Sequence, residues 1–299
     1  MILITGASGS AGGSALQAAI ADGLRVRAMY RNRADAGKAP SGIETVIADF
    51  ADRGSLRPVL AGIDAVFLVC GPVPELVQLE GNMIDACKEA GVGHIVLNSA
   101  FGAGDYPKSF PSWHFQAEEE LRASGVSHTI LRPNGFLQNI GTYYAGPIRA
   151  QNAFYSSIGD SRISLIDVRD VGAIAARILA VPQVHAGKIY ELHGPEQVSN
   201  YDIAARISEV VGRKISYVDL TEAAMRKAML DLGMPEAFVT AELELEGYYR
   251  SGRCAVTDEL VAKLAGRPAR TLDQYLRENV AAFSKTGSLR LNEQKGKSE

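Results

Sequence analysis

The sequence predicts an α/β fold, a doubly wound parallel sheet followed by a smaller, mostly helical C-terminal lobe. Three observations predict it. Short β-rich runs alternate with helical stretches through the first half, the rhythm of a parallel sheet with helices on both faces. The run from Ala65 to Cys70 is apolar throughout, as expected of a strand buried on both sides. A glycine-rich turn joins the first strand to the first helix.

In chain order, Ile2 to Thr5 reads as a strand and 10–22, rich in small residues, as a helix. Arg25 to Tyr30 and Glu44 to Ala48 are the next strands, with a helical segment over 52–61. After the strand ending at Cys70, a helix over 75–91 stops at Gly91, a residue suited to a left-handed C-terminal cap. His94 to Ser99 is a strand, and 112–124 a helix stopped by Ser124-Gly125. His128 to Arg132 is a strand closed by Pro133. Residues 134–165 read as irregular, rich in Gly, Asn and Tyr. A helix over 168–180, a strand near Lys188–Leu192 and a helix over 199–211, capped by Ser199 or Asn200, follow. A strand over 214–218 precedes helical segments at 221–231, 235–247, 257–264 and 271–283. The expected organisation is a nucleotide-binding core over 1–133, sheet completion and a substrate lobe over 134–284, and a mobile polar tail over 285–299.

Composition narrows the function. Among 299 residues, 31 Lys and Arg face 34 Asp and Glu, a net charge of −3. That balance gives no electrostatic footprint for nucleic acid or acidic membranes. No apolar run reaches the roughly 18–20 residues that a membrane helix needs, and the start, MILITGAS, does not read as a signal peptide. Three scattered cysteines, Cys70, Cys87 and Cys254, argue against a disulfide framework or a metal site. A reducing, cytoplasmic compartment is expected. A homodimer is compatible with all of this.

The first strand runs into Thr5-Gly6-Ala7-Ser8-Gly9-Ser10-Ala11-Gly12. Backbone N–H groups and the positive end of a helix dipole bind phosphates in such a turn. Gly6 permits the turn, Gly9 lets backbone approach a pyrophosphate, and Gly12 lets helix and strand pack closely. Ser8 and Ser10 add hydroxyl donors, and Ala11 lies in the same helix opening. Three spaced glycines alone are weak evidence, but strand, turn and helix in this order form a Rossmann-type dinucleotide site. The alternative is a tight turn without a ligand.

The end of the second strand selects the cofactor. An acid there would bond a ribose 2′-hydroxyl. The chain instead carries Arg31 and Arg33, which suit a 2′-phosphate. NADP(H) is therefore expected over NAD(H), unless both are merely solvated. Asp49 and Phe50 follow the third strand, where they would border the adenine. Otherwise they are a helix-capping Asp and a core Phe. Cys70, Gly71 and Pro72 end the fourth strand at the ligand-binding edge of the sheet, with Cys70 a small hydrophobe rather than a nucleophile.

The segments TGASGSAGG, VRAMYRN, ADF, AGVGHIVLNSA, AEEELRASGVSHTILRPNGFLQN and ISLIDVRDVGAIAARIL, with 187–236 beyond them, resemble the NmrA-like branch of atypical short-chain dehydrogenases over roughly 1–284. The resemblance implies the same fold. It also implies either a reductase of quinones, triphenylmethane dyes or benzylic ethers, or a non-catalytic redox-sensing regulator.

Ordinary members of the wider superfamily carry Tyr-x-x-x-Lys on the helix after the fifth strand. The matching positions here are Phe110 and His114. Phe110 cannot donate a proton. His114, ordinarily titrating near 6.5, is the candidate to hold the nicotinamide ribose or protonate a substrate. Otherwise it is a histidine on the helix surface or one just behind the residues that touch ligand. Ser99, at the superfamily's serine position, would bond a substrate oxygen or the carboxamide, or simply end its strand. The resemblance places Asn134 near the nicotinamide. It makes Asp167, Arg169 and Asp170 a structural hinge.

Quinones and cationic dyes accept hydride without an enzymic acid, so an apolar, aromatic pocket would suffice. Phe101, Phe110, Trp113, Phe136, Tyr143 and Tyr144 are its expected lining, with Tyr248 and Tyr249 added by the lobe. Each has core packing as its alternative. The expected activity is NADPH-dependent hydride transfer to a small aromatic or quinone-like acceptor. The alternatives are an NADP(H)-sensing regulator with a protein partner, or a reductase of a benzylic ether, imine or iminium.

Overall fold

The computed structural model describes residues 1–285. Of the tail expected to be mobile, only Lys285 lies within them. The elements in chain order are β1 (Ile2–Ile4), α1 (Ser10–Ala21), β2 (Val26–Tyr30), α2 (Arg33–Ala36), β3 (Glu44–Ile47), α3 (Arg53–Val59), β4 (Ala65–Leu68), α4 (Leu76–Ala90), β5 (His94–Asn98), α5 (Ser109–Ser124) and β6 (His128–Pro133). A short π-helical turn (Ile140–Tyr144) then precedes α6 (Ala145–Gln151), β7 (Ala153–Ser156), α7 (Val168–Ala180), α8 (Pro182–His185), β8 (Ile189–Leu192) and α9 (Asn200–Val211). The last elements are β9 (Ser216–Asp219), α10 (Glu222–Asp231), α11 (Glu236–Arg250), α12 (Leu260–Ala265), α13 (Leu272–Glu278) and α14 (Val280–Phe283).

The chain forms two compact units. The first comprises Met1–Asn134, Val168–His193 and Asp258–Ala269. Its seven-stranded sheet has the order β3-β2-β1-β4-β5-β6-β8, with every neighbouring pair parallel. The order reverses between β1 and β4, the switch point where ligands bind in open α/β sheets. One core packs β1, β2, β4, β5 and β6 against α3, α4 and α5, through Leu3, Val66, Ile84, Leu97 and Leu121 among others. Leu3, Val66, Leu97 and Leu121 are fully buried. The apolar run at β4 is buried at every position, as its composition requires. Arg267 pairs with the buried Asp170 on α7 at 2.6 Å. That makes the predicted hinge charge part of this unit's packing.

Among the described residues, the second unit comprises Gly135–Asp167, Gly194–Thr257 and 270–285. Its two-stranded parallel sheet pairs β7 with β9, Ala153 opposite Ser216. A core of Ile148, Phe154, Ile207 and Leu276 joins α6, β7, α9 and α13. Ser199, rather than Asn200, caps α9 in a reciprocal box with Asp202. A separate cluster of Met229, Val239 and Leu243 ties α10 to α11.

Two differences from the expected organisation have local causes. Residues 134–165 are not irregular throughout, since they hold the π-helical turn, α6 and β7. The π-helical turn runs without a break into α6, and Pro147 just past the junction supplies no N–H to the helix ladder. The chain beyond Asn134 also returns to the first unit twice, through α7–β8 and through α12.

Candidate functional site

The glycine turn opens α1 as its sequence requires. Gly6 sits at φ +56°, and a Cβ there would lie 2.9 Å from Val69. A Cβ on Gly12 would fall 2.2 Å from the Gly6 carbonyl and 2.4 Å from that of Thr5, so only glycine permits this helix–strand approach. Gly9 is the N-cap residue of α1 and offers no side-chain cap. The first N–H groups of the helix therefore remain for an incoming anion. Gly6, Ser8, Gly9 and Ser10 are exposed along this lip, whereas Ala11 and Gly12 are buried beneath it. Thr5, which the sequence reading passed over, fixes the turn. Its hydroxyl donates to the Phe67 carbonyl at 3.0 Å and accepts from the Val69 N–H at 2.9 Å, stapling β1 to β4.

Arg31 and Arg33 are exposed at the end of β2. Neither guanidinium meets a hydrogen-bond or ion-pair partner among the described residues, while Asn32 between them caps α2 through the Asp35 N–H at 2.9 Å. Two unpaired cations beside an anion cradle fit an additional phosphate. Asp49 is half-buried and accepts from the Ala51 N–H at 2.9 Å, whereas the cap of α3 is Asp52. Phe50 belongs to the core, and its carbonyl accepts from Asn82 at 2.9 Å, so it supports this edge from below instead of walling it. Gly71 and Pro72 are exposed, with open space around Gly71. Burial pushes the Cys70 thiol up to about 12, consistent with a packing role and not a nucleophile.

The helix after β5 departs most from expectation. Ser99 is 2% exposed and donates to Glu118 at 2.6 Å. Glu118 also receives both arms of Arg132, at 2.8 and 2.6 Å, and Arg122 at 2.7 Å. Burial alone would raise this carboxyl, but those donors hold it below its ordinary value. The Ser99 proton is thus held inside the fold, and the residue ties the end of β5 to α5. His114 lies one turn before Glu118 and is buried, and its Nδ1 meets no hydrogen-bond partner among the described residues. Burial pushes the imidazole down to about 4 against the pull of Glu118, so the ring is neutral at pH 7. It is not the imidazolium acid that its ordinary titration suggested, although a neutral ring still donates one N–H and accepts at the other nitrogen.

The expected aromatic lining falls into two sets, one in each unit. In the first unit, Phe110 meets Trp113 edge-on at 5.2 Å, next to His114. Phe101 meets His193 edge-on at 4.8 Å. Asn134 is buried, and its side-chain amide lies 3.4 Å from His193 Nδ1. His193, just past β8, was missed because its segment carries no motif. In the second unit, Tyr144 stacks on Phe154 at 4.4 Å, Tyr143 is 54% exposed, and Phe136 bridges to Ile166. Tyr248 is a core residue at 1% exposure, whereas Tyr249 is half-buried. No group of three or more His, Cys, Asp or Glu side chains among the described residues could hold a metal ion. No helix among them is long and apolar enough to cross a membrane.

A seven-stranded parallel sheet with a glycine cradle at its switch point defines a dinucleotide-binding protein of the Rossmann type. The chain belongs to the NmrA-like family, which matches it over residues 1–276. The NAD(P)H azoreductase of Xenophilus azovorans is 33% identical over 285 residues, covering 95% of this chain and 99% of the other. Quinone oxidoreductase 2 of Escherichia coli is 29% identical over 278 residues, covering 91% and 96%. The structure of an NADPH-dependent quinone oxidoreductase from Escherichia coli in complex with NADPH matches with a TM-score of 0.83 at 28% identity, covering 94% of this chain and 99% of that one.

Proposed function

We propose that the protein is an NADPH-dependent reductase that passes hydride to a small aromatic or quinone-like acceptor. The observation that carries this reading is the uncapped start of α1 behind the glycine turn, with two unpaired arginines at the end of the neighbouring strand. The named activities of the azoreductase and quinone oxidoreductase relatives support it.

In this reading Gly6, Ser8, Gly9, Ser10, Ala11 and Gly12 hold the diphosphate, and Arg31 and Arg33 bind the 2′-phosphate. Asp49 addresses the adenine over a floor that Phe50 supports. Cys70, Gly71 and Pro72 border the ribose, and Asn134, steadied by His193, orients the nicotinamide end. When bound, NADPH supplies the hydride. His114 serves as a neutral hydrogen-bonding group. Ser99 acts through Glu118 and Arg132 by fixing the strand end. Phe101, Phe110 and Trp113, on the same unit as the glycine turn, are the proposed acceptor contacts. They exclude water by their apolar surface. A quinone takes its balancing proton from solvent, so no enzymic acid is required. A cytoplasmic homodimer belongs to the same proposal, and three free thiols suit a reducing compartment.

The test is NADPH consumption with a panel of quinones, azo compounds and triarylmethane dyes. Turnover of at least one class is expected. Tight NADPH binding with no turnover of any acceptor would overturn the reductase and leave a nucleotide-sensing regulator.

A further inference from the structure

One buried polar side chain at the ligand edge of the first unit's sheet has no part in the packing or the chemistry described above. Asn98 is the last residue of β5 and is 6% exposed. Its Oδ1 meets no hydrogen-bond partner, and its side-chain NH2 donates to none, among the described residues. Asparagine is a poor strand residue, and a buried amide left unpaired is costly. An apolar side chain of similar size would suit the fold better.

The strand holds this amide in a fixed place. The Ser99 N–H donates to the Leu131 carbonyl at 2.8 Å, so β5 stays paired with β6 to its end. Leu97 packs in one core with Leu121 of α5, and Ser99 reaches Glu118 of the same helix. Side chains alternate along a strand, so Asn98 faces the other side of the sheet. There α7 packs along β4 and β5 and meets α1 at Gly172, where a Cβ would lie 2.5 Å from the Ser14 backbone. Asn98 thus shares its side of the sheet with the helix whose start forms the anion cradle.

The strand order measures where a dinucleotide would run. Strand β2, with Arg31 and Arg33 beyond its end, lies on one side of β1 and the glycine turn, whereas β4 and β5 lie on the other. Neighbouring strands stand about 4.8 Å apart, so the end of β5 is about 10 Å from that of β1, away from the arginines. A nucleotide with its 2′-phosphate on the arginines and its diphosphate on the turn would carry its nicotinamide ring that way. The hydrogen-bonding group on that ring is a primary carboxamide. The asparagine side chain is the same group, and two such amides pair donor to acceptor.

We propose that Asn98 is a specificity-determining residue that hydrogen-bonds the nicotinamide carboxamide of the cofactor. This rests on the NADPH reading and deepens it. The pairing gives the buried oxygen its donor. It also fixes how the ring is turned, because the carboxamide stands on one side of it.

The experiment uses Asn98→Leu, which replaces the amide by an apolar side chain of similar size. Without nucleotide the variant should be at least as stable as the parent in urea, because an unpaired buried group has gone. Calorimetric titration then compares NADPH with 2′-phospho-ADP-ribose, which keeps the adenosine half and the diphosphate but lacks the nicotinamide. The variant should lose about tenfold or more in NADPH affinity, about 1.4 kcal/mol, and keep its affinity for the fragment within about twofold. Asn98→Ala adds no bulk, should show the same split, and decides the point if Asn98→Leu does not fold. Unchanged NADPH affinity in the variants, or equal losses for NADPH and the fragment, would overturn the inference while leaving nucleotide binding standing. If the parent binds neither molecule, the inference falls together with the NADPH reading.

Discussion

Gly12→Ala is the sharpest test of the cradle, because two effects of known sign compete there. Alanine in place of glycine inside a helix gains about 1 kcal/mol. Against this, the new Cβ would sit 2.2 Å from the Gly6 carbonyl oxygen and 2.4 Å from that of Thr5. Comfortable contact begins near about 3.5 Å. Both obstacles are backbone, so no rotamer relieves them, and α1 must move off β1. Such overpacking costs about 3 kcal/mol at the upper end of its usual range. The net loss is then about 2 kcal/mol. Gly13 is the internal control. Its Cβ would lie 3.2 Å from the Ala7 carbonyl, a tight contact that a small shift removes. Gly13→Ala should therefore stay close to the parent. Urea unfolding reads the stability, and quenching of protein fluorescence by NADPH reads the site. If Gly12→Ala matched Gly13→Ala in both, the reasoning about helix and strand approach would be refuted.

The other expectations concern buried titratable groups. His114→Ala should lower kcat at least about tenfold through loss of a hydrogen bond in a buried site. The parent rate should show no inflection near pH 6.5 from this ring, which stays neutral down to about 4. An inflection there that the variant abolished would contradict the neutral assignment. Glu80 is fully buried on α4, and burial raises it to about 8 against a backbone hydrogen bond from Cys70. Between its unfolded value and about 8 the unfolded chain releases a proton that the folded chain keeps, so stability falls as pH rises. Glu80→Gln should therefore stabilise the protein by an amount that grows to a few kcal/mol, on the order expected for such a shift, and levels off above that pH. Urea midpoints at acid, neutral and alkaline pH measure it. A gain that does not change with pH would count against a neutral buried acid.

Much of the first unit was legible because its signals are local. The glycine turn, the apolar run at β4 and the stop at Gly91 each specify their own geometry. The sequence places the start of α5 three residues late because Ser-Phe-Pro reads as a loop, yet Pro111 falls within the first helical turn, which tolerates it. What escaped depends on contacts distant in sequence. Ser99 meets Glu118 across the fold, and nothing in the residues around Ser99 signals that its proton is already engaged. Strand β7 finds its partner in β9, far along the chain, so its segment reads as loop. Phe50 occupied a plausible position for a cofactor wall, and only its packing shows it in the core.

The most direct measurement is calorimetric titration of the parent and of Arg31→Ala with NADPH and NADH. The account predicts that the parent binds NADPH the more tightly. It predicts that the variant loses about tenfold or more of NADPH affinity, as for a charge-assisted contact of about 1.5–3 kcal/mol, with NADH little changed. Absence of binding heat with both nucleotides, or equal losses for the two, would contradict it.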